Sequence, residues 1–298
     1  MTELEKFYKL DQERLKKYNN KRYIYKNSLN ILYQAFESEA WFEFLNNKDI
    51  IACKNSFASC GKIDIEQCSL NRDLFGYKIT SPINVLLSDN EDLIKSFSNI
   101  DYLVIKGSNR KSIAYSEYVK KGSDHLFIDT IIKTMNKELS GLSENLNIWE
   151  KKFLKLKKNE LLKTDFEFFK GIIDMDKDLI FKTINILSTK YHRKRNKYLS
   201  FYQDFVSQPA MGYAKIAWLY GIELEFENEL IHNELLPVKP NKNYTIKISE
   251  FKNKMTFESY DKNFNGTKLK EEEFNERYPK ENNWLQQCVK KIANFKLK

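Results

Sequence analysis

Along residues 166–240 the apolar positions first recur with the period of a helix and then switch to that of an extended chain. Phe169, Ile172 and Ile173 hold the i, i+3, i+4 spacing of one buried helical face, and Asp174-Met175-Asp176 interrupts it. Leu179, Ile180, Ile184 and Leu187 resume the pattern. Aspartates ahead of such a restart accept hydrogen bonds from the free amides of a helix N-terminus and favour its positive dipole end, so they read as caps. A calcium loop would also use Asp174, Asp176 and Asp178. It requires glycine at its sixth position and glutamate at its twelfth, where this chain has Leu179 and Asn185. A third helix is bracketed by Pro209 at its start and Gly221 just past its end. Met211, Ala214 and Trp218 form its apolar stripe, and Gly212, Ala214 and Ala217 are small enough to let a second helix come close. Beyond it, Ile222, Leu224 and Phe226 alternate with Glu223, Glu225 and Glu227, as in an extended segment with one wet face. Pro237 and Pro240 close the unit.

Elsewhere the same grammar predicts more helix. Residues 3–18 form a charged amphipathic helix carrying Leu4, Phe7, Tyr8 and Leu15, and residues 28–46 form another, capped by Ser28. The latter carries Leu29, Leu32, Tyr33 and Phe36 on one face, then Trp41, Phe42 and Leu45. A shorter helix over about 47–59 stops at Gly61. Within 81–99 a local echo appears: Leu86-Leu87 followed by Asp92-Leu93-Ile94 parallels Ile172-Ile173 followed by Asp178-Leu179-Ile180. No fixed period or third copy accompanies it, so it establishes no repeat family, but it suits a stack of antiparallel helix pairs, as in helical-repeat or bundle folds. Tyr102 to Ile105 suits either a short strand or a helical segment. Residues 124–138 and 146–163 resume helix, the second with Trp149, Phe153, Leu156 and Leu161 inward and Lys151, Lys152, Lys155, Lys157 and Lys158 outward. After Pro240, residues 244–249 and 254–259 alternate with period two, predicting a small hairpin, and residues 281–296 predict a last helix. The expected architecture is therefore predominantly all-α, a multi-helix bundle of antiparallel helix pairs over 1–240. Residues 241–298 are a C-terminal extension whose hairpin and helix pack on that body.

Composition supports this. Nine glycines and five prolines are too few for a turn-rich sandwich or a series of βα units, and a 298-residue chain that is 42% hydrophobic can bury a large core without disulfides. Cys53, Cys60, Cys68 and Cys288 form no C-x-x-C pair and have no histidine beside them, so they read as buried thiols. The N-terminal stretch has no apolar h-region, and no run approaches the roughly 18 apolar residues of a membrane span. A soluble cytoplasmic protein is expected. With 50 Lys+Arg against 41 Asp+Glu, the formal charge of +9 is a modest excess of the kind any lysine-rich helical surface carries.

Chemistry is sparse. His125, His192 and His232 are far apart, none in a metal-binding spacing, and Gly107 to Ser112 lacks the second glycine and the Gly-Lys-Ser order of a phosphate loop. No catalytic, cofactor-binding or metal-binding residue is assigned, and no enzyme is expected. The densest basic stretch is Tyr191-His192-Arg193-Lys194-Arg195-Asn196. There His192 and Arg193 are placed to satisfy helix C-terminal carbonyls, while Arg193 or Arg195 can offer a bidentate fork to a carboxylate.

The combination FFKGIIDMDKDLI, KYHRKRN, SQPAMGYAKIAWLYGIELEF and ELLPVKP resembles bacterial immunity protein family 49, of the polymorphic toxin systems. The resemblance covers residues 166–240. It implies a predominantly helical cytoplasmic protein, encoded beside a secreted toxin, that binds the toxin's active domain and protects the producer and its kin. It implies no catalytic residue. Many immunity proteins against nucleases are acidic mimics of nucleic acid, and a basic chain disfavours that strategy. Two partner surfaces follow: Tyr191, Arg193, Lys194 and Arg195 against an acidic toxin domain, or Glu223, Glu225, Glu227 and Glu229 against a basic one. The alternatives are a helical-repeat nucleic-acid binder working through its lysine-rich faces and a general protein-interaction scaffold.

Overall fold

Twelve α-helices make up most of the part of the chain that the computed structural model describes, residues 2–19, 26–70, 80–99, 103–106, 111–196 and 204–247. They are α1 (Glu3–Asn19), α2 (Lys26–Phe42), α3 (Ile50–Leu70), α4 (Thr80–Leu87), α5 (Glu91–Ser98), α6 (Tyr115–Lys120), α7 (His125–Met135), α8 (Leu139–Ile148), α9 (Lys163–Asp174), α10 (Lys177–Leu187), α11 (Lys190–Arg193) and α12 (Gln208–Leu219). The class is all-α, as the apolar periodicity requires. Between α5 and α6 two short strands, β1 (Leu103–Lys106) and β2 (Lys111–Ala114), pair antiparallel with Leu103 opposite Ala114. That settles Leu103 to Ile105 as strand.

Consecutive helices pack as pairs: α1 on α2, α2 on α3, α7 on α8, α9 on α10. The last helix, α12, lies against both α4 and α10 and joins the N-terminal and C-terminal halves. Its sequence explains how. Ser207 caps it, Pro209 opens it, and Gly212 meets α4 so closely that an added Cβ would run into the Ile83 side chain. Gly221 follows at φ 75, a left-handed conformation that glycine adopts without steric cost.

The local echo noted above is a turn built the same way more than once. Lys48, Asp89, Lys137 and Met175 are the four non-glycine residues with positive φ among the described residues, and each stands two residues before the first residue of a new helix. In three of these turns the next side chain is the cap. Asp49 accepts from the Ala52 amide (2.9 Å), Asn90 from Leu93 (3.0 Å) and Asp176 from Leu179 (2.9 Å). One left-handed residue reverses the chain, and one short polar side chain satisfies a free amide of the next helix. Asp174 ends α9, so the capping in that turn falls to Asp176.

The core holds Trp41, Trp149, Phe57, Phe153, Phe168 and Phe169, all fully buried. Each contributes about 1.5–3 kcal/mol through the area it removes from water. Trp149 packs against Phe153 (4.8 Å between centroids), Phe127 (5.9 Å) and Phe169 (6.0 Å), and Tyr213 of α12 stacks on Phe168 (4.4 Å). Among the described residues no helix is long and apolar enough to cross a membrane.

Several expectations are corrected. Residue Ser28 lies inside α2, which starts at Lys26, and α3 runs through Gly61 to Leu70. Gly61 is there for space: a Cβ would stand 3.0 Å from Val85 Cγ2 of α4. Residues 146–163 are not one helix. A π-turn over Trp149–Phe153 gives way to a 3-10 stretch over Lys157–Leu162, because Asn159 is buried and donates to the Phe153 carbonyl (2.9 Å). Leu156 is consequently exposed, as is Phe7 on α1. Cys53 and Cys60 are buried. Residues 244–246 take no regular structure, and the rest of the expected hairpin and the last helix lie outside the described residues.

Candidate functional site

After α12 the chain runs extended, and its alternation sorts the side chains as expected. Ile222, Leu224 and Phe226 are buried, whereas Glu223, Glu225, Glu227 and Glu229 are exposed. Trp218 anchors the start, donating from Nε1 to the Leu224 carbonyl (3.2 Å). Phe226 is covered by Phe181 of α10, the two rings lying parallel 5.2 Å apart. Phe181 stays 42% exposed, so one of its faces seals the core while the rest looks outward. Between this helix and the glutamate-bearing segment opens a cleft of about 890 Å³, lined by Phe181, Asn185, Glu225, Glu227, Glu229 and Leu230.

The acidic wall is rigidly built. Asn233 uses its side chain as a surrogate strand neighbour, accepting from the Phe226 amide (3.0 Å) and donating to the Phe226 carbonyl (2.8 Å). Asn228 accepts from the Leu230 amide (3.0 Å) and donates to Ser188 Oγ (2.6 Å), which ties the loop to the end of α10. The Ser207 amide donates to the Leu230 carbonyl (2.9 Å). His232 is packed between Trp41 and Phe44 and donates from Nε2 to the Phe205 carbonyl (2.8 Å). Burial lowers its pKa, with the Phe205 hydrogen bond opposing that shift, so at neutral pH it is an uncharged pin. The four glutamates have no ion-pair partner among the described residues, in a chain whose overall charge is positive.

The basic stretch divides. Tyr191 is 58% exposed and Lys194 is exposed, while Arg193 is half-buried. Arg195 is buried. Its guanidinium grips Asp165 of α9 with both ends (2.8 and 2.6 Å), and the Tyr213 hydroxyl donates to the same carboxylate. An arginine committed this way has no free fork, so it belongs to the scaffold. His192 is also structural but not as a cap on helix carbonyls. Its Nδ1 lies 3.2 Å from Arg195 Nη1, and burial, reinforced by the Arg195 charge, lowers its pKa. Because Asn228 bonds Ser188, shortly before Tyr191 in the chain, the acidic wall and the exposed part of the basic stretch border the same end of α10.

The arrangement offers acceptors but no reactive pair. No group of three potential metal ligands gathers among the described residues. Exposed carboxylates on a fixed wall, with an aromatic ring opposite, suit lysine or arginine side chains, which bind through charge-assisted hydrogen bonds and pack their stems on the ring. Sequence reasoning found the glutamates by their alternation. It missed Phe181, Asn228 and Asn233, whose only signal is that they stand near apolar runs. No family model, curated protein or solved structure matches the chain.

Proposed function

We propose that this chain is an immunity protein, binding and neutralising the active domain of a toxin encoded beside it and so protecting the producing bacterium and its kin in the cytoplasm. The observation that carries the reading is the rigid acidic wall facing Phe181. Four carboxylates without an ion-pair partner among the described residues are held in place by Asn228, Asn233 and His232, which is the preorganisation a tight protein-protein interface needs. The resemblance of residues 166–240 to immunity protein family 49 supports the same reading. Of the two surfaces expected from sequence, the acidic one is favoured, because the burial of Arg195 weakens the basic one. The toxin surface that fits is a basic one, with Phe181 as the aromatic anchor and the glutamates speeding association.

The test is co-expression with the toxin domain encoded immediately upstream, scoring survival and co-purification. Rescue with a stable complex is expected, and charge reversal at Glu225, Glu227 and Glu229 together lowers affinity by at least about tenfold. Unchanged toxicity with no complex rejects the pairing. Unchanged affinity after reversal rejects the acidic wall as the contact.

A second reading has one observation behind it. Lys152 Nζ donates to the carbonyl of Lys120, the last residue of α6 (2.9 Å), and each of the two has a further exposed lysine beside it in the chain, Lys151 and Lys121. That lysine cluster suits a polyanion such as a nucleic-acid backbone, whose binding weakens steeply as salt rises.

A further inference from the structure

We propose that residues 237–247 form a latch that opens as a unit while the helical body stays folded, with Asp89 as its bolt. The segment changes character at Leu236. Up to that point it is held by apolar burial, with Ile231, Leu235 and Leu236 inside the core. From Pro237 onward most residues are exposed, and Tyr244 and Ile246 are the apolar side chains that pack partly against the core.

What holds the strap is polar, and much of it grips the main chain. Asp89 sits in the left-handed turn between α4 and α5 and pairs with two buried ammonium groups, Lys54 of α3 (2.7 Å) and Lys215 of α12 (2.6 Å). These three groups then read the strap and the residues just before it. Lys215 donates to the carbonyls of Leu235 (3.0 Å) and Pro237 (2.9 Å). Lys54 donates to the Lys239 carbonyl (2.6 Å), and the Lys239 amide donates to Asp89 (3.2 Å). Further along, Asn55 and Ser59 of α3 accept from the amides of Thr245 (3.3 Å) and Lys247 (3.1 Å). Tyr244 donates to the Ser88 carbonyl (2.7 Å), and Lys247 reaches Glu39.

This attachment differs in kind from the rest of the fold. One carboxylate serves two lysines, so the cluster buries an unbalanced positive charge. Such clusters specify geometry more than they add stability. Burial accordingly lowers the Lys215 pKa to about 8. A segment with little apolar area and one central carboxylate opens at lower free energy than helices packed through aromatic rings.

Amide hydrogen exchange on the whole protein tests this without any variant. The amides of Lys239, Thr245 and Lys247 should exchange at least about tenfold faster than those of Phe168, Phe169 and Ala214, and should not respond to low urea. If strap and body amides exchange at one rate, with one urea dependence, there is no latch. Asp89→Asn should accelerate the strap amides at least about tenfold more than the body amides; equal acceleration in both overturns Asp89 as the bolt. Tyr244→Phe removes two peripheral bonds, the one to the Ser88 carbonyl and the one from the Asn241 amide, and leaves the buried charges in place. It should speed strap exchange with body protection unchanged, and no effect on the strap would likewise overturn the proposal.

Discussion

Replacing Lys215 by methionine should change not only how stable the protein is but how its stability depends on pH. The Lys215 ammonium is fully buried on α12 and shares Asp89 with Lys54, and burial, against the pull of Asp89, brings its pKa from the ordinary 10.5 to about 8. That difference corresponds to roughly 3 kcal/mol. The sign follows from proton counting. Between about pH 8 and 10.5 the unfolded chain holds a proton that the folded chain has released, so Lys215 makes the protein more stable as pH rises through that window. Below about pH 8 both states are protonated and the full cost is present. Other groups act oppositely. Burial raises the Cys53 thiol, and raises Tyr220 to about 12, so their ionisation in the unfolded chain erodes stability above their ordinary values of 9.0 and 10.0. The comparison with Lys215→Met removes those shared contributions, because Lys54 and Asp89 remain paired and the lost bonds to Leu235 and Pro237 give a constant offset. Urea unfolding of both proteins should therefore show the wild-type advantage growing by about 2 kcal/mol between about pH 7 and 9.5. Curves that stay parallel to within about 0.5 kcal/mol would refute the buried, destabilised ammonium.

Asp165→Asn leaves the buried Arg195 guanidinium without its counter-charge and should cost about 3–5 kcal/mol, whereas the double change Asp165→Asn with Arg195→Met should recover a substantial part. A double variant no more stable than the single would contradict the unpaired-charge account. Asn90→Ala and Asp176→Ala each remove the cap from a turn of the same build, and each should cost about 1 kcal/mol in chemical denaturation. A large difference between the two would mean the turns are not energetically equivalent.

Much of the helical order was legible because its causes lie within a few residues of each other. The cap at Asp176, the proline-opened start of α12 and the stop at Gly221 are contacts between near neighbours, and the structure places them where the spacing does. The alternation Ile222, Leu224, Phe226 likewise put the glutamates on the wet side. Other features resist such reading because the deciding atom is far away in the chain. Gly61 looks like a helix stop until α4 presses Val85 against it. Arg195 looks like part of an exposed basic cluster until Asp165 takes it inward.

The sequence by itself determined that this chain is helical, where α9 ends, where α10 restarts, where α12 begins and ends, and that an acidic edge follows them, since hydrophobic period, caps and turn residues act locally. Only the tertiary structure decided that Phe181 completes a cleft with that edge, that Asn233 and His232 make it rigid, and that Lys54, Asp89 and Lys215 converge on one strap. Those outcomes depend on burial and on charges meeting across long chain separations, which no local pattern encodes.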